Sequence, residues 1–253
     1  MVMKKFPAPG DLDFVPVPGG DDPNFIFGVV RRQIKDGPVR TLPASVIKRL
    51  CPGQKVEISA PWAPTCLRWD VLLPSHANDE FLDPKRLCEK YEEQACNNLK
   101  DLLVMITLRF PNPDRLHRSW EDVRAFALER LCRERNVAVI AAMHLPVTVG
   151  STNPPHIHLM APARELQCYG FGPFVRPFSA DAGKAMIAAE WAEWQNRARD
   201  GDPAGEYPEY RPCLLDGVLH FVPDHEPGGP IFRLTQKGLM SSVDFDVLQP
   251  DEY

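Results

Sequence analysis

Three apolar segments of strand length dominate the centre of the sequence and limit the folds open to the chain. Residues 102–110 are rich in β-branched and other apolar side chains and end at Pro111. Residues 137–144 and 156–161 form two further apolar runs. Runs of this length and composition predict strands, and a nearly continuous apolar run predicts a strand buried inside a sheet.

A helix is predicted between the first two of these strands. Its apolar positions recur with helical spacing at Val123, Phe126, Ala127 and Leu131. Ser119, followed by Asp122, is typical of an N-terminal capping box, and Asn136 is a suitable stop.

The flanking regions complete the outline. Residues 7–23 are dense in Pro and Gly and predict an irregular lead-in, whereas residues 25–30 and 55–60 resemble short strands. Helices are predicted over residues 84–100 and from Ser179 onward, and the Asp-Gly pair at 216–217 predicts a hairpin. The order strand, helix, strand, strand, helix predicts an α+β fold with an antiparallel or mixed sheet flanked by helices.

We expect three parts along the chain. Residues 1–55 form an irregular N-terminal segment with a short strand, residues 56–205 form the core, and residues 206–253 form a C-terminal hairpin and tail.

Composition restricts the function further. The net charge of −5 and pI near 5.8 exclude a broadly basic surface, so any contact with nucleic acid must rest on a local patch. The seven cysteines are scattered and never form C-x-x-C, which argues against a zinc ribbon or a disulfide framework. The sequence has neither a membrane-spanning apolar run nor a secretory signal, so we expect a cytoplasmic protein without a membrane partner.

Three histidines fall at the facing ends of the second and third predicted strands. Side chains alternate along a strand, so His156 and His158 project from one face, and His144 closes the neighbouring strand. If the intervening loop makes a hairpin-like return, the three imidazoles meet at one point. Three neutral imidazoles suit Zn, Mn, Ni, Co or Fe and leave coordination positions open. The alternative is a pair of solvated or hydrogen-bonded histidines on an ordinary strand.

The histidine region resembles the MobA/MobL family of plasmid mobilisation relaxases, which are HUH endonucleases. The resemblance rests on Ala142-Met143-His144, then Asn153-Pro154-Pro155-His156-Ile157-His158-Leu159, then Arg164, Gly170-Phe171-Gly172 and Arg176. It implies a relaxase-like core whose metal is held by His144, His156 and His158. It also implies that Arg164 and Arg176 contact DNA. The cofactor is then a divalent cation, with Mg, Mn and Zn as candidates, and the partner is single-stranded DNA at a transfer origin.

The resemblance implies attack by a tyrosine hydroxyl on a DNA phosphate, with nicking and strand transfer in conjugation. The family's N-terminal tyrosine has no counterpart, because the first tyrosine of the chain is Tyr91. Tyr91, Tyr207 and Tyr210 are therefore the candidate nucleophiles. Two alternatives stay open: an inactive relaxase-like DNA-binding protein, or a small-molecule metallo-hydrolase that uses a metal-bound water.

Overall fold

A six-stranded sheet organises the first of two structural units, which spans Met1–Asn196. The computed structural model describes residues 15–16, 22–33, 37–55, 57–95, 99–111, 115–149, 152–176, 178–199, 210–215, 218–223 and 232–233. In chain order, the elements up to the last long helix are β1 (Val15–Pro16), β2 (Phe25–Arg31), α1 (Leu42–Leu50), β3 (Arg68–Leu72), α2 (Pro84–Glu93), β4 (Asp101–Arg109), α3 (Leu116–Phe126), β5 (Val139–His144), β6 (His156–Pro162), β7 (Arg164–Gln167), β8 (Gly170–Phe174) and α4 (Asp181–Arg199).

The sheet has the order β1-β2-β4-β6-β5-β3, and every neighbouring pair is antiparallel. This confirms the α+β class and resolves the choice between an antiparallel and a mixed sheet. The N-terminal strand β2 pairs with β4 along its whole length, so the region before residue 55 contributes directly to the sheet. Strands β7 and β8 form a separate two-stranded hairpin.

Apolar residues cover both faces of the sheet. Ile157, Leu159 and Ala161 of β6 point to the face covered by α3 and α4, and Met160 points to the face covered by α1 and α2. The central strand β4 is buried from Leu102 to Leu108, which explains why its sequence is continuously apolar instead of alternating.

Local sequence explains the start of two helices and the end of a third. Thr41 caps α1 by accepting a hydrogen bond from the backbone N–H of Ala44, and Asp83 caps α2 in the same way from Lys85. Asn136, the predicted stop, has a φ of 54°, a left-handed conformation that asparagine tolerates well. The predicted inward positions of α3 and its extension (Val123, Phe126, Ala127 and Leu131) are all buried, which confirms that stripe.

Several predicted boundaries were wrong. Helix α3 begins at Leu116, not at Ser119, and has no side-chain cap, and it continues as a π-helix over Ala127–Arg133. Helix α2 ends at Glu93, well before residue 100. The described residues of segment 55–60 form turns in place of a strand, and the sheet edge is formed by β3 instead.

The second unit spans Arg197–Tyr253 and contains a small antiparallel sheet. Its strands are β9 (Tyr210–Leu215), β10 (Val218–Pro223) and β11 (Phe232–Arg233), in the order β11-β10-β9. The pairing of β9 with β10 confirms the predicted hairpin, although residues 216–217 lie outside the described residues. The three-part division of the chain stays a prediction. Among the helices that the structure describes, none has the length and apolarity to cross a lipid bilayer.

Candidate metal centre

The register of two adjacent strands brings three histidines together at one end of the sheet. His144, the last residue of β5, lies directly opposite His156, the first residue of β6, and Ala142 lies opposite His158. Residues directly opposite each other share a face, and so do alternate residues of one strand. All three imidazoles therefore project from the α1 side of the sheet. The antiparallel pairing of β5 with β6 confirms that the chain returns between them as predicted.

The imidazoles are close enough to share one cation. Their ring centroids lie 5.2 Å apart for His144 and His156, and 4.8 Å apart for the other two pairs. One ring nitrogen from each histidine lies within 4.8 Å of those of the other two. Metal–nitrogen bonds of about 2.1 Å require a closer approach, so a bound cation would draw the three rings inward. The predicted convergence of the histidines is confirmed.

Hydrogen bonds fix the protonation pattern of two rings. His144 Nε2 lies 2.7 Å from the carbonyl oxygen of Arg49, and His156 Nδ1 lies 3.0 Å from that of Pro154. A carbonyl only accepts hydrogen bonds, so these two nitrogens carry the ring protons. His144 Nδ1 and His156 Nε2 are left with lone pairs, as a metal ligand requires.

The third ring has a side-chain partner. His158 Nδ1 lies 2.8 Å from the hydroxyl oxygen of Thr107, which stands opposite it on β4. Both residues are buried, so this contact orients the ring without competition from water. His158 Nε2 takes no part in this contact and is therefore available as a metal ligand.

Burial keeps the cluster uncharged. Desolvation lowers the pKa of His144 from 6.5 to about 4 and also lowers the pKa values of His156 and His158. The positive charges of Arg49 and Arg109 lower the pKa values of His156 and His158 further. The rings are therefore neutral at pH 7, the state in which imidazole binds metals.

The same charges favour an anion at the site. Three neutral ligands leave the charge of a bound divalent cation uncompensated, and Arg49 and Arg109 add to it. An acidic ligand such as a phosphate oxygen would meet a positive potential there despite the net negative charge of the chain.

Tyr91 lies far from this cluster. Its ring is fully buried against Phe171, and its hydroxyl donates to the carbonyl oxygen of Asp101, the first residue of β4. Thr107, which contacts His158, lies six residues further along the same strand, a separation of about 20 Å. Burial also raises the pKa of the Tyr91 phenol. Both features contradict the prediction that Tyr91 attacks a phosphate held at the histidines.

The other two candidate nucleophiles belong to the second unit. Tyr207 lies outside the described residues, and Tyr210 is the first residue of β9. Their roles stay predictions.

Arg164 is occupied by backbone contacts. Its guanidinium donates to three carbonyl oxygens, those of Gly172 at 2.7 Å, Phe171 at 2.9 Å and Gln94 at 3.0 Å. These bonds fasten the β7–β8 hairpin to the end of α2, which favours a structural role. Arg176 lies exposed in the turn after β8. Contact of either arginine with DNA stays a prediction.

Three groups around the histidines were not singled out from the sequence. Thr107 lies inside an apolar strand, where a threonine is unremarkable, and Arg49 and Pro154 act through their carbonyl oxygens. The prolines before His156 indicated only weakly that its ring would contact the carbonyl oxygen of Pro154. No pattern in the sequence indicated that the carbonyl oxygen of Arg49 would contact the ring of His144.

The fold and the cluster define an α+β protein with a three-histidine site at the end of an antiparallel sheet. No protein-family model matches the chain, and no curated protein matches it. A solved structure described as "Molecular Basis of Vancomycin Resistance Transfer in Staphylococcus aureus" is similar, with a TM-score of 0.54 and 21% identity over 70% of this chain and 93% of that one. At this identity the likeness shows the fold alone.

Proposed function

We propose that the chain is a relaxase-like protein of the MobA/MobL type whose three histidines hold a divalent cation against a phosphate of single-stranded DNA. The observation that carries the proposal is the convergence of His144, His156 and His158, each with a ring nitrogen within 4.8 Å of the others. The similarity to a structure concerned with resistance transfer supports plasmid transfer as the setting.

The donor set fits some cations better than others. Three imidazole nitrogens suit Mn, Co or Zn, whereas Mg prefers oxygen ligands. When bound, the cation supplies Lewis-acid polarisation of a phosphoryl oxygen. The chain supplies the rest: Thr107 and the carbonyls of Arg49 and Pro154 orient the rings, and the nearby arginine charges attract the DNA backbone.

Nicking requires a nucleophile near the histidines. Tyr91 is about 20 Å away along β4, so strand transfer would depend on Tyr207 or Tyr210. The distance of Tyr91 favours a second candidate function, in which the protein binds single-stranded DNA at a transfer origin without cutting it.

The test begins with metal content. We expect purified protein loaded with Mn²⁺ or Zn²⁺ to bind about one ion per chain, and His156→Ala and His158→Ala to lose most of it. His117→Ala, which alters an exposed histidine on α3, is the matched control and should bind normally. Equal binding by all variants would refute the site.

The second step separates the functions. A covalent DNA–protein product on a single-stranded oligonucleotide that disappears in Tyr207→Phe or Tyr210→Phe would identify a relaxase. Metal-dependent binding without a covalent product would identify the binding protein. Hydrolysis of a phosphate ester without oligonucleotide binding would identify the metallo-hydrolase and overturn the DNA proposal.

A further inference from the structure

An exposed tryptophan shares the sheet face of the histidine cluster. Trp69 on the edge strand β3 lies opposite Ala142, which in turn lies opposite His158. Directly opposed residues point to the same side of a sheet, so Trp69 and His158 belong to one row. Two strand spacings separate their backbones, a distance of about 10 Å.

The neighbours of Trp69 confirm its direction. Arg68 and Asp70 are occupied on the opposite face, where they pair with Glu121 and Arg124 of α3. Val71, two residues along on the same face as Trp69, is buried in the core beneath α1 and α2. The sheet face is therefore covered at Val71 and becomes accessible at Trp69, on the side of the histidines.

Trp69 differs from the other tryptophans of the chain. It is 41% exposed, whereas Trp120 and Trp191 are 2% and 6% exposed, and Trp62 and Trp194 pack against the two cores. An exposed aromatic ring offers an apolar face that a flat ligand can cover, although a single exposed ring is common on protein surfaces.

The surroundings indicate which ligand does so. On one side of the ring lies a site suited to a phosphate, with the positive charges of Arg49 and Arg109 beside it. A phosphate site next to an aromatic face matches the two chemical parts of a nucleotide, its charged backbone and its flat base. Aromatic side chains stack on the bases of single strands whatever their sequence.

We propose that Trp69 forms a base-stacking subsite for the nucleotide next to the phosphate held at the histidine cluster. This inference rests on the proposed function, because it takes the phosphate site as given. It adds a contact to the base, so the protein would select single-stranded over duplex DNA, whose bases are already stacked on each other.

The test compares two probes in the presence of Mn²⁺. One is a fluorescently labelled oligothymidylate, and the other is an abasic phosphodiester of the same length, with dissociation constants measured by anisotropy. We expect the wild-type chain to prefer oligothymidylate, and Trp69→Ala to bind it about tenfold or more weakly while binding the abasic probe unchanged. Trp69→Phe, which keeps a ring, should restore most of the preference.

Control variants separate the stacking proposal from the proposed function on which it rests. Tyr169→Ala removes a ring that is 75% exposed in the turn between β7 and β8, and should behave as wild type. If the wild type binds neither Mn²⁺ nor either probe, the proposed function fails and the subsite fails with it. If Mn²⁺ and both probes bind but Trp69→Ala matches wild type, the subsite alone is overturned. Equal binding of both probes by the wild type overturns it as well.

Discussion

Thr107→Val isolates the hydrogen bond that orients the most deeply buried histidine. The substitution keeps the β-branched shape and nearly the same volume in a strand position that is 6% exposed, so packing changes little. It removes the hydroxyl that lies 2.8 Å from His158 Nδ1 and leaves that nitrogen without its partner. The effect on the cluster should therefore exceed the effect on the fold.

The expected magnitude follows from the burial of the ring. Losing the orienting partner of a metal-binding histidine costs about 10- to 100-fold in metal affinity, or roughly 1.4–2.8 kcal/mol. The free energy of unfolding of the metal-free protein should fall by only about 1 kcal/mol, because one hydrogen bond is lost and no cavity is created. Titration calorimetry with Mn²⁺ or Zn²⁺ and urea denaturation measure the two quantities separately.

Two further variants complete the experiment. Thr107→Ser restores the hydroxyl and should recover most of the metal affinity. Thr148→Val removes a hydroxyl that donates to the carbonyl oxygen of Leu145, and should leave affinity unchanged. Wild-type affinity in Thr107→Val, together with unchanged NMR signals of the His158 ring, would refute the orienting role.

Three other predictions address stability and role. Burial lowers the pKa of His144 from 6.5 to about 4, so its contribution to the stability of the metal-free protein is complete above pH 6.5 and is lost as the pH falls toward 4. Between pH 7 and pH 4, the free energy of unfolding of the wild type should fall by about 2 kcal/mol more than that of His144→Gln, a value reduced for the partial exposure of the ring. Urea denaturation measures it, and parallel pH profiles of the two proteins would contradict the prediction. A lysine at position 164 cannot reproduce the three carbonyl contacts of the guanidinium, so Arg164→Lys should lower the free energy of unfolding by about 2 kcal/mol and leave metal affinity unchanged. Loss of DNA binding at full stability would instead indicate that Arg164 contacts DNA. Tyr91→Phe should lower the free energy of unfolding by about 1 kcal/mol and leave any nicking activity intact. Loss of nicking in a folded variant would contradict the separation of Tyr91 from the histidines inferred along β4.

The centre of the fold could be predicted because its signals were local and agreed with one another. The apolar runs that form β4, β5 and β6 marked a buried sheet, and the alternation of His156 and His158 around Ile157 fixed the face on which the site would lie. Only the pairing of His144 with His156 needed a further assumption, namely a return of the loop between them.

The edge of the sheet could not be predicted in the same way. Strand β3 reads Arg-Trp-Asp-Val-Leu, and its charged residues obscure the apolar pattern because they pair with α3 on the second face. The start of α3 was misplaced because Ser119 and Asp122 form a plausible cap in sequence, whereas packing of the helix against the sheet extends it back to Leu116. Two of the three ring partners, Thr107 on β4 and Arg49 on α1, are distant in sequence from the histidines that they contact.

The dependence of the cluster on strand pairing ties the cation to the folded state. Because side chains alternate with a period of two, shifting β6 by one residue against β5 would turn His156 and His158 toward α3 and place Ile157 at the site. Only the native alignment places three imidazoles around one point, so an ion bound there would stabilise that alignment over slipped ones and raise the melting temperature. A simple thermal scan with and without cation would thus report whether the sheet has assembled correctly, before any DNA is added.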